Sequence, residues 1–528
     1  MPLSLELPTP DPRLASMVET DAKALRQWLI GISGSNVAES GRQIHDALAS
    51  VNRVPLEADV RLKLLEEYRS TLDVMAGEFA ARTASQGMPM RDKARQASLL
   101  LRALWIELAT GYKLALVDRL ERRSFFGGSN SKQVPYLIQQ ALLLHYRIYQ
   151  LSCRMAMPLP PGMWRETHTL FRHVAELRQL DEPNGEEAGP PVGVVYKRIL
   201  LLALADPLRF SAIELDKVIE IIDNYAPVAH FQPLSHLASS GGYFLVQLDT
   251  DLPPHFYGNR APDEYEGAAM LVDTIELGKR LHRMLHSLEA KAPVVADRAK
   301  IQFWMDVVRR LLKQWSIAPR RVFQRIHKES LVEVCSGLRA VTACAGGAQA
   351  ETSADVLDQA GVGNASERAG QNWRVLNESP GGYALARKEA APERLRVGEL
   401  VAVRAQDSEA WLYGAVRWLQ QSEDGGLEMG VQILSPRAEL VLLGTGDDLP
   451  GMAPVGAVLL PEITMLRQPP QIVAPRGTYA QGRVLHTQLN DSTATLKITR
   501  LVERQAGFEL FEFQIESSDA PEATAPAA

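Results

Sequence analysis

Trp373-Arg374-Val375-Leu376-Asn377-Glu378-Ser379-Pro380-Gly381-Gly382-Tyr383 sets a polar turn between two runs suited to β-strands. Asn and Ser side chains bond locally to the backbone and still offer donors and acceptors outward. Gly381 and Gly382 allow φ > 0 and the close approach of another molecule to the main chain. Alone, the stretch reads as a hairpin turn. A second basic stretch upstream, Arg320-Arg321-Val322-Phe323-Gln324-Arg325, changes its weight.

Strand signals continue on both sides of that turn. Leu331 to Val334 is strand-like, and Leu400 to Val403 and Trp411 to Leu419 follow, separated by the polar turn Gln406-Asp407-Ser408. Met429, Val431 and Ile433 alternate with Glu428, Gly430 and Gln432, which predicts one buried face. Short strands between Gly, Pro and Asp clusters predict an all-β barrel or sandwich over residues 315–445. Between Ala345 and Gly370 the sequence is rich in Ala, Gly and Ser without a hydrophobic pattern, so a flexible insertion is expected there. A β-rich extension is expected over 446–516, with strands at Tyr479–Leu485 and Thr493–Thr499. A disordered tail is expected over 517–528. Whether the extension belongs to the barrel is left open.

Residues 1–314 carry helical periodicity instead. Leu101, Leu104, Trp105, Leu108 and Tyr112 form one apolar stripe, and Ile138, Ala141, Leu142, His145 and Tyr149 another. Pro158, Pro160 and Pro161, then Pro183-Asn184-Gly185, then Asp206-Pro207 mark helix ends. Ser211 and Glu214 form a capping-box pattern. This is a long all-α region, a bundle or an irregular helical repeat. One departure is Gly241-Gly242-Tyr243 to Asp249, read as a small strand insertion near 241–250, with helix resuming from about Glu266 to Leu288 and from Ala296 to Trp315. The fold class is therefore multidomain α + β.

Composition narrows the function. The 528 residues are 46% hydrophobic and 23% charged, with net charge −6, so the whole chain is not expected to attract nucleic acid or anionic lipid. Three cysteines, Cys153, Cys335 and Cys344, show no CxxC spacing, which argues against structural zinc and a disulfide framework and fits a reducing compartment. No stretch reads as a signal peptide or a transmembrane segment, and a cytoplasmic location is expected. No nucleophile elbow or metal signature is present, so no catalytic residue, metal or cofactor is assigned and an enzyme is not expected. His282 and His286 share a helix face without an HExxH pattern, His168 and His173 do not share one, and His145 reads as a packed core residue. Asp249 and Asp251 read as a polar strand end rather than an ion site. Gly127 to Lys132 lacks P-loop spacing.

The basic stretch stands out against this background. Between Lys313 and Ser330 lie Lys313, Arg320, Arg321, Arg325 and Lys328 against the acid Glu329. A guanidinium is planar, always charged and forked, so it grips phosphate oxygens with two bonds and stacks on a purine face. Two of them beside an Asn/Ser/Gly turn suit a nucleotide with several phosphates and exposed base edges.

Arg321-x-x-x-Arg325, then a strand, then Asn377-x-Ser379-x-x-Gly382 resembles the PilZ family, whose signature is RxxxR followed by [DN]xSxxG. Gly398 to Val403, Gly414 to Trp418 and Met429 to Ile433 are similar to its later strands, and the resemblance covers roughly Ser316 to Leu442. It implies a small β-barrel that binds cyclic di-GMP, often as an intercalated dimer. Arg321 and Arg325 would clamp phosphate and stack on guanine. Asn377, Ser379 and Gly382 would hold base and phosphate, with Arg320 and Gly381 as helpers. The interval between the two motifs is longer than usual, so the insertion would have to loop out. The expected partners are cyclic di-GMP and a protein engaged through the helical region. The alternative is a PilZ-like adaptor acting without nucleotide.

Overall fold

A computed structural model of the chain describes residues 3, 5–32, 37–83, 87–126, 133–182, 189–235, 237, 241–258, 265, 267–291, 298–317, 324–346, 358–363, 370–388, 394–422, 424–445, 454–489 and 492–519. The chain divides into a helical unit, Met1–Gln86 with Met90–Arg320, and a barrel unit, Gly87–Pro89 with Arg321–Ala528. The fold class read from the sequence holds.

In the helical unit, α1 (Ala22–Ile32), α2 (Val37–Arg53), α3 (Ala58–Thr83), α4 (Asp92–Phe126), α5 (Gln133–Arg154), α6 (Met163–Glu176), α7 (Val192–Leu204) and α8 (Ala212–Tyr225) precede a small sheet. The stripe Leu101, Leu104, Trp105, Leu108 and Tyr112 on α4 is buried, as are Ile138, Ala141, Leu142 and His145 on α5. Ser211 closes the expected capping box at the start of α8, its Oγ accepting from Glu214 N while Glu214 Oε2 accepts from Ser211 N. Such a cap satisfies amide donors that the first helical turn leaves unbonded.

The sheet comprises β1 (His230–Pro233), β2 (Tyr243–Gln247), β3 (His255–Phe256) and β4 (Ala269–Asp273), all antiparallel, in the order β1-β4-β2-β3. The helices α9 (Ile275–Lys291) and α10 (Arg298–Ser316) follow. The helix expected from Glu266 is thus corrected. Ala269–Asp273 is an interior strand with neighbours on both edges, and α9 begins only at Ile275, whose N–H donates to Asp273 Oδ1 at 2.8 Å. An apolar run flanked by strands reads equally as helix or strand by periodicity, and long-range pairing decides it.

The barrel unit contains β5 (Leu331–Ser336), α11 (Leu338–Gly346), β6 (Gln371–Ser379), β7 (Gly382–Arg387), β8 (Leu400–Ala405), β9 (Leu412–Gln421) and β10 (Leu427–Ser435). These strands close a barrel in the order β10-β7-β6-β5-β8-β9. Inward residues alternate along each strand, with Val332, Trp373, Val375, Leu385, Val401, Val416 and Met429 filling the interior. A second closed barrel is formed by β11 (Glu439–Thr445), β12 (Val455–Leu460), β13 (Gln471–Ala474), β14 (Val484–Leu489), β15 (Ser492–Arg504) and β16 (Glu509–Asp519), in the order β11-β12-β13-β16-β15-β14. The two barrels share a further core in which Leu400, Tyr413 and Val341 of the first meet Val458, Leu460 and Phe508 of the second.

Details of the second barrel depart from the sequence reading. Glu439–Thr445, grouped with the first barrel on sequence, pairs with β12 and β14. The strand expected from Tyr479 begins only at Val484. Ahead of it, Glu509 Oε2 accepts from the amides of Gly477 and Tyr479, and Arg483 donates to the carbonyls of Gly477 and Thr478. Side chains rather than a ladder satisfy those groups. Ser517–Asp519, grouped with the tail, pair with Thr495, Ala494 and Thr493 of β15.

Of the expected insertion, α11 reaches Gly346, and residues 347–357 and 364–369 lie outside the described residues. Ala360 and Val362 are buried against Leu440 and Leu442, and Gly456 N donates to Ala360 O at 2.7 Å.

Candidate nucleotide site

The hairpin is tighter than the sequence suggests. Asn377 and Ser379 belong to β6 itself, Pro380 and Gly381 make the turn, and Gly382 opens β7. The pairs Glu378–Tyr383 and Ser379–Gly382 close it. A bulge between Val375 and Asn377 leaves Leu376 without a partner across the ladder. That extra residue shifts the alternation, so Val375 points into the barrel while Asn377 and Ser379 stand on its outer face. Arg374, exposed, lies on that same outer face.

The segment after Arg325 docks along this strand. Ile326 N donates to Glu378 O and Glu378 N to Ile326 O, both at 2.9 Å, and Val375 N donates to Ser330 O at 2.8 Å. His327 Nδ1 is 3.2 Å from the carbonyl of Leu376, satisfying the bulged residue. Lys328 Nζ lies 3.3 Å from Glu378 Oε1. In an antiparallel bridge centred on Ile326 and Glu378, Arg325 falls across from Ser379 and His327 across from Asn377. Arg325 and the turn are therefore brought together, and Arg325, Asn377, Ser379 and Gly382 share one face.

Electrostatics on that face favour an anion. Arg325 is exposed, and no carboxylate among the described residues lies within 4 Å of its guanidinium. Arg374 is likewise without one. Asn377, half-buried, makes no side-chain hydrogen bond to a described residue, so its amide is available to a ligand. Ser379 Oγ reaches Gly382 O only at 3.4 Å. On the opposite face Tyr383 is half-buried, and burial, then the Glu378 carboxylate, raises its hydroxyl pKa. Arg320 and Arg321 lie outside the described residues. The carbonyl of Gly381 faces the next strand, accepting from Ile433 N at 3.0 Å.

Gly382 has φ 154°, and a Cβ there would sit 2.0 Å from the carbonyl oxygen of Val431. The room that glycine makes is taken by the neighbouring strand β10, so part of its role is structural. Sequence reasoning passed over Arg374 and His327. The outward alternation of β6 was the available signal for Arg374. The contact of His327 depends on a bulge that no periodicity reveals.

The other candidate residues resolve as structural. Asp251 accepts from Gly162 N at 2.8 Å and Arg165 N at 3.0 Å at the start of α6, and Asp249 accepts from Ala268 N at 2.6 Å. His168 is buried between Tyr196 Oη at 2.7 Å and Leu252 O at 2.9 Å. His282 and His286 are exposed with their Nε2 atoms 3.0 Å apart. Among the described residues no group of three or more His, Cys, Asp or Glu could hold a metal ion. A cavity of about 160 Å3 in the helical unit is lined by Lys113, His145 and Glu166, where Lys113 and Glu166 form a buried ion pair at 2.7 Å. Burial, then Lys113, pushes the His145 imidazole down to about 3. Gly127 to Lys132 lies outside the described residues.

Models of three successive domains of the cyclic-di-GMP receptor FimW match the chain. The N-terminal domain matches residues 23–236, the middle PilZ domain 243–350 and 343–439, and the C-terminal β-barrel domain 449–516. The chain is also 25% identical to the cyclic-di-GMP receptor FimW of Pseudomonas aeruginosa, over 97% of its own length and 93% of that protein. The chain belongs to the PilZ-domain cyclic di-GMP receptor family. The PilZ-domain match begins at residue 243, well ahead of the barrel, and takes in β2 to β4 with α9 and α10. By packing those elements belong to the helical unit: Trp315 Nε1 donates to Leu201 O at 3.3 Å and Arg310 pairs with Glu214 at 2.7 Å. This family is one of binding proteins and effectors rather than enzymes. No helix among the described residues is long and apolar enough to cross a membrane.

Proposed function

We propose that the chain is a cytoplasmic receptor for cyclic di-GMP, clamped between the Arg321–Arg325 segment and the Asn377–Gly382 turn of the first barrel. The single observation that carries this reading is the pair of 2.9 Å bonds between Ile326 and Glu378. They support a face on which Arg325, without a carboxylate partner among the described residues, stands beside the Asn377 amide and the Ser379 hydroxyl, whose one contact is a 3.4 Å bond to Gly382 O. A cyclic dinucleotide supplies what that face lacks: phosphate oxygens for the guanidinium, and base edges with donors and acceptors for the amide and hydroxyl. The FimW relative, named for the same ligand, supports the choice. Arg320 and Arg321 would complete the clamp from the same segment.

The mechanism is ligand-linked ordering. The arginine segment is also the stretch of chain that joins α10 to β5. A nucleotide that holds it on β6 restrains that connection, and it shifts the equilibrium only by its differential affinity for the restrained state. The helical unit is then the output part, engaging a protein partner. A reducing compartment fits the cysteines, none of which is in a disulfide, with Cys335 and Cys344 in hydrogen-bond contact.

Thermal unfolding of the full chain tests the reading. A ligand bound only to the folded state raises the melting temperature in proportion to ln(1 + [L]/Kd). Cyclic di-GMP is expected to raise it, and GTP or cyclic AMP at equal concentration is not. An identical response to all three, or none to cyclic di-GMP, rejects the proposal.

A further inference from the structure

The outer face of the first barrel continues past the hairpin onto β10. Gly382 pairs with Ser379 on one side and with Gln432 on the other. Gln432 therefore stands on the same face as Ser379, one strand beyond the glycine. It is exposed, whereas its partner across β9, Ala415, is fully buried in the core shared by the two barrels. Gln432 thus marks the line where the open face meets the covered one.

Its amide is oriented. Arg417 Nε donates to Gln432 Oε1 at 2.8 Å. Arginine has donors only, so the amide oxygen must face Arg417 and the NH2 must face away. Nothing among the described residues accepts from that NH2. Arg417 is itself held: its two terminal nitrogens pair with both carboxylate oxygens of Glu503 on β15, Nη2 to Oε2 at 2.8 Å. Gln505 Nε2 donates to Glu503 as well. A fork of this kind fixes the guanidinium plane more firmly than a single contact.

We infer that Gln432 is a further reading residue of this site, presenting its NH2 to the O6 carbonyl oxygen of a guanine in the bound nucleotide, with Arg417 and Glu503 as positioning residues. The inference rests on the proposed nucleotide reading of this face. O6 is an acceptor, and adenine carries an amino donor at the same place. An NH2 donor fixed beside Gly382 therefore favours guanine over adenine. Because Glu503 belongs to the C-terminal barrel, that barrel sets the orientation of a group on the ligand face of the first.

The test is titration of the full chain with cyclic di-GMP and with cyclic di-AMP. The variants are Gln432→Glu, Gln432→Ala and Glu503→Gln, each checked for an unchanged melting temperature. Gln432→Glu keeps the contact with Arg417 but replaces the donor with an acceptor. It is expected to lower cyclic di-GMP affinity roughly tenfold or more and to narrow the preference over cyclic di-AMP. Gln432→Ala serves if the charged variant unfolds, with a smaller loss in the same direction. Glu503→Gln is expected to lower affinity about threefold by freeing Arg417. If the wild type does not bind cyclic di-GMP, the nucleotide reading fails and this inference falls with it. If the wild type binds and neither Gln432 variant changes affinity or preference, the nucleotide reading stands and Gln432 has no part in it. If only Glu503→Gln is without effect, the positioning role is overturned.

Discussion

A methyl group at residue 382 would have no place to go. With φ 154° and a would-be Cβ 2.0 Å from Val431 O, Gly382→Ala requires β7 and β10 to separate. The expected cost is roughly 2 kcal/mol or more in urea unfolding of the barrel unit. Ser379→Ala is the contrasting case. Its hydroxyl makes only a 3.4 Å contact with Gly382 O, so stability is expected to change by less than about 0.5 kcal/mol while cyclic di-GMP affinity falls. A glycine that serves the sheet and a serine proposed to serve the ligand sit three residues apart in one motif. The order Asn-x-Ser-x-x-Gly was legible because residue chemistry survives in one dimension. That the glycine is closed off by Val431 was not, because the strand that closes it lies far along the chain.

Between the residue and the fold stands the short strap from Gln324 to Ser330. Ile326 is an exposed apolar residue whose backbone, not its side chain, does the docking. Ile326→Pro removes the N–H that donates to Glu378 O. The melting temperature is expected to move little, since an isolated bridge contributes modestly, while cyclic di-GMP affinity drops because Arg325 is no longer held across from Ser379. Equal affinity in this variant argues that the strap is not part of the site. Ser211→Ala, in the helical unit, is the complementary control. Loss of the capping box is expected to cost about 1 kcal/mol of helical stability with no effect on nucleotide affinity. Elements with strong local signals, such as α4, α8 and the alternating β10, were legible in sequence. The strand β4 was not, because its apolar run fits a helix until β1 and β2 pair with it. The bulge at Leu376 was not either, since one added residue leaves no compositional trace.

At the scale of the whole chain, the acid side of the stability profile should carry the mark of His145. Its imidazole is buried beside Lys113 and titrates near 3 instead of 6.5. Between these values the unfolded chain takes up a proton that the folded chain refuses, so stability falls as pH drops from about 6.5 toward about 3. Above about 6.5 His145 adds no slope. In His145→Gln the melting temperature should fall less steeply with acid than in the wild type, and parallel curves would show that the site is not buried as described. The division into a helical part and a β part was legible from the change in periodicity after Trp315. The closure of a second barrel was not, because β11 pairs with β12 and β14 while β13 pairs with β16, and such distant partners leave no local signature. The core between the barrels was hidden for the same reason. The central claim concerns one face of the first barrel, and isothermal titration calorimetry of cyclic di-GMP into the full chain, wild type against Arg325→Ala, reaches it most directly. The account predicts saturable binding by the wild type and an affinity at least about tenfold weaker in the variant, the loss of a charge-assisted contact. No binding by the wild type, or equal affinity in the two proteins, contradicts it.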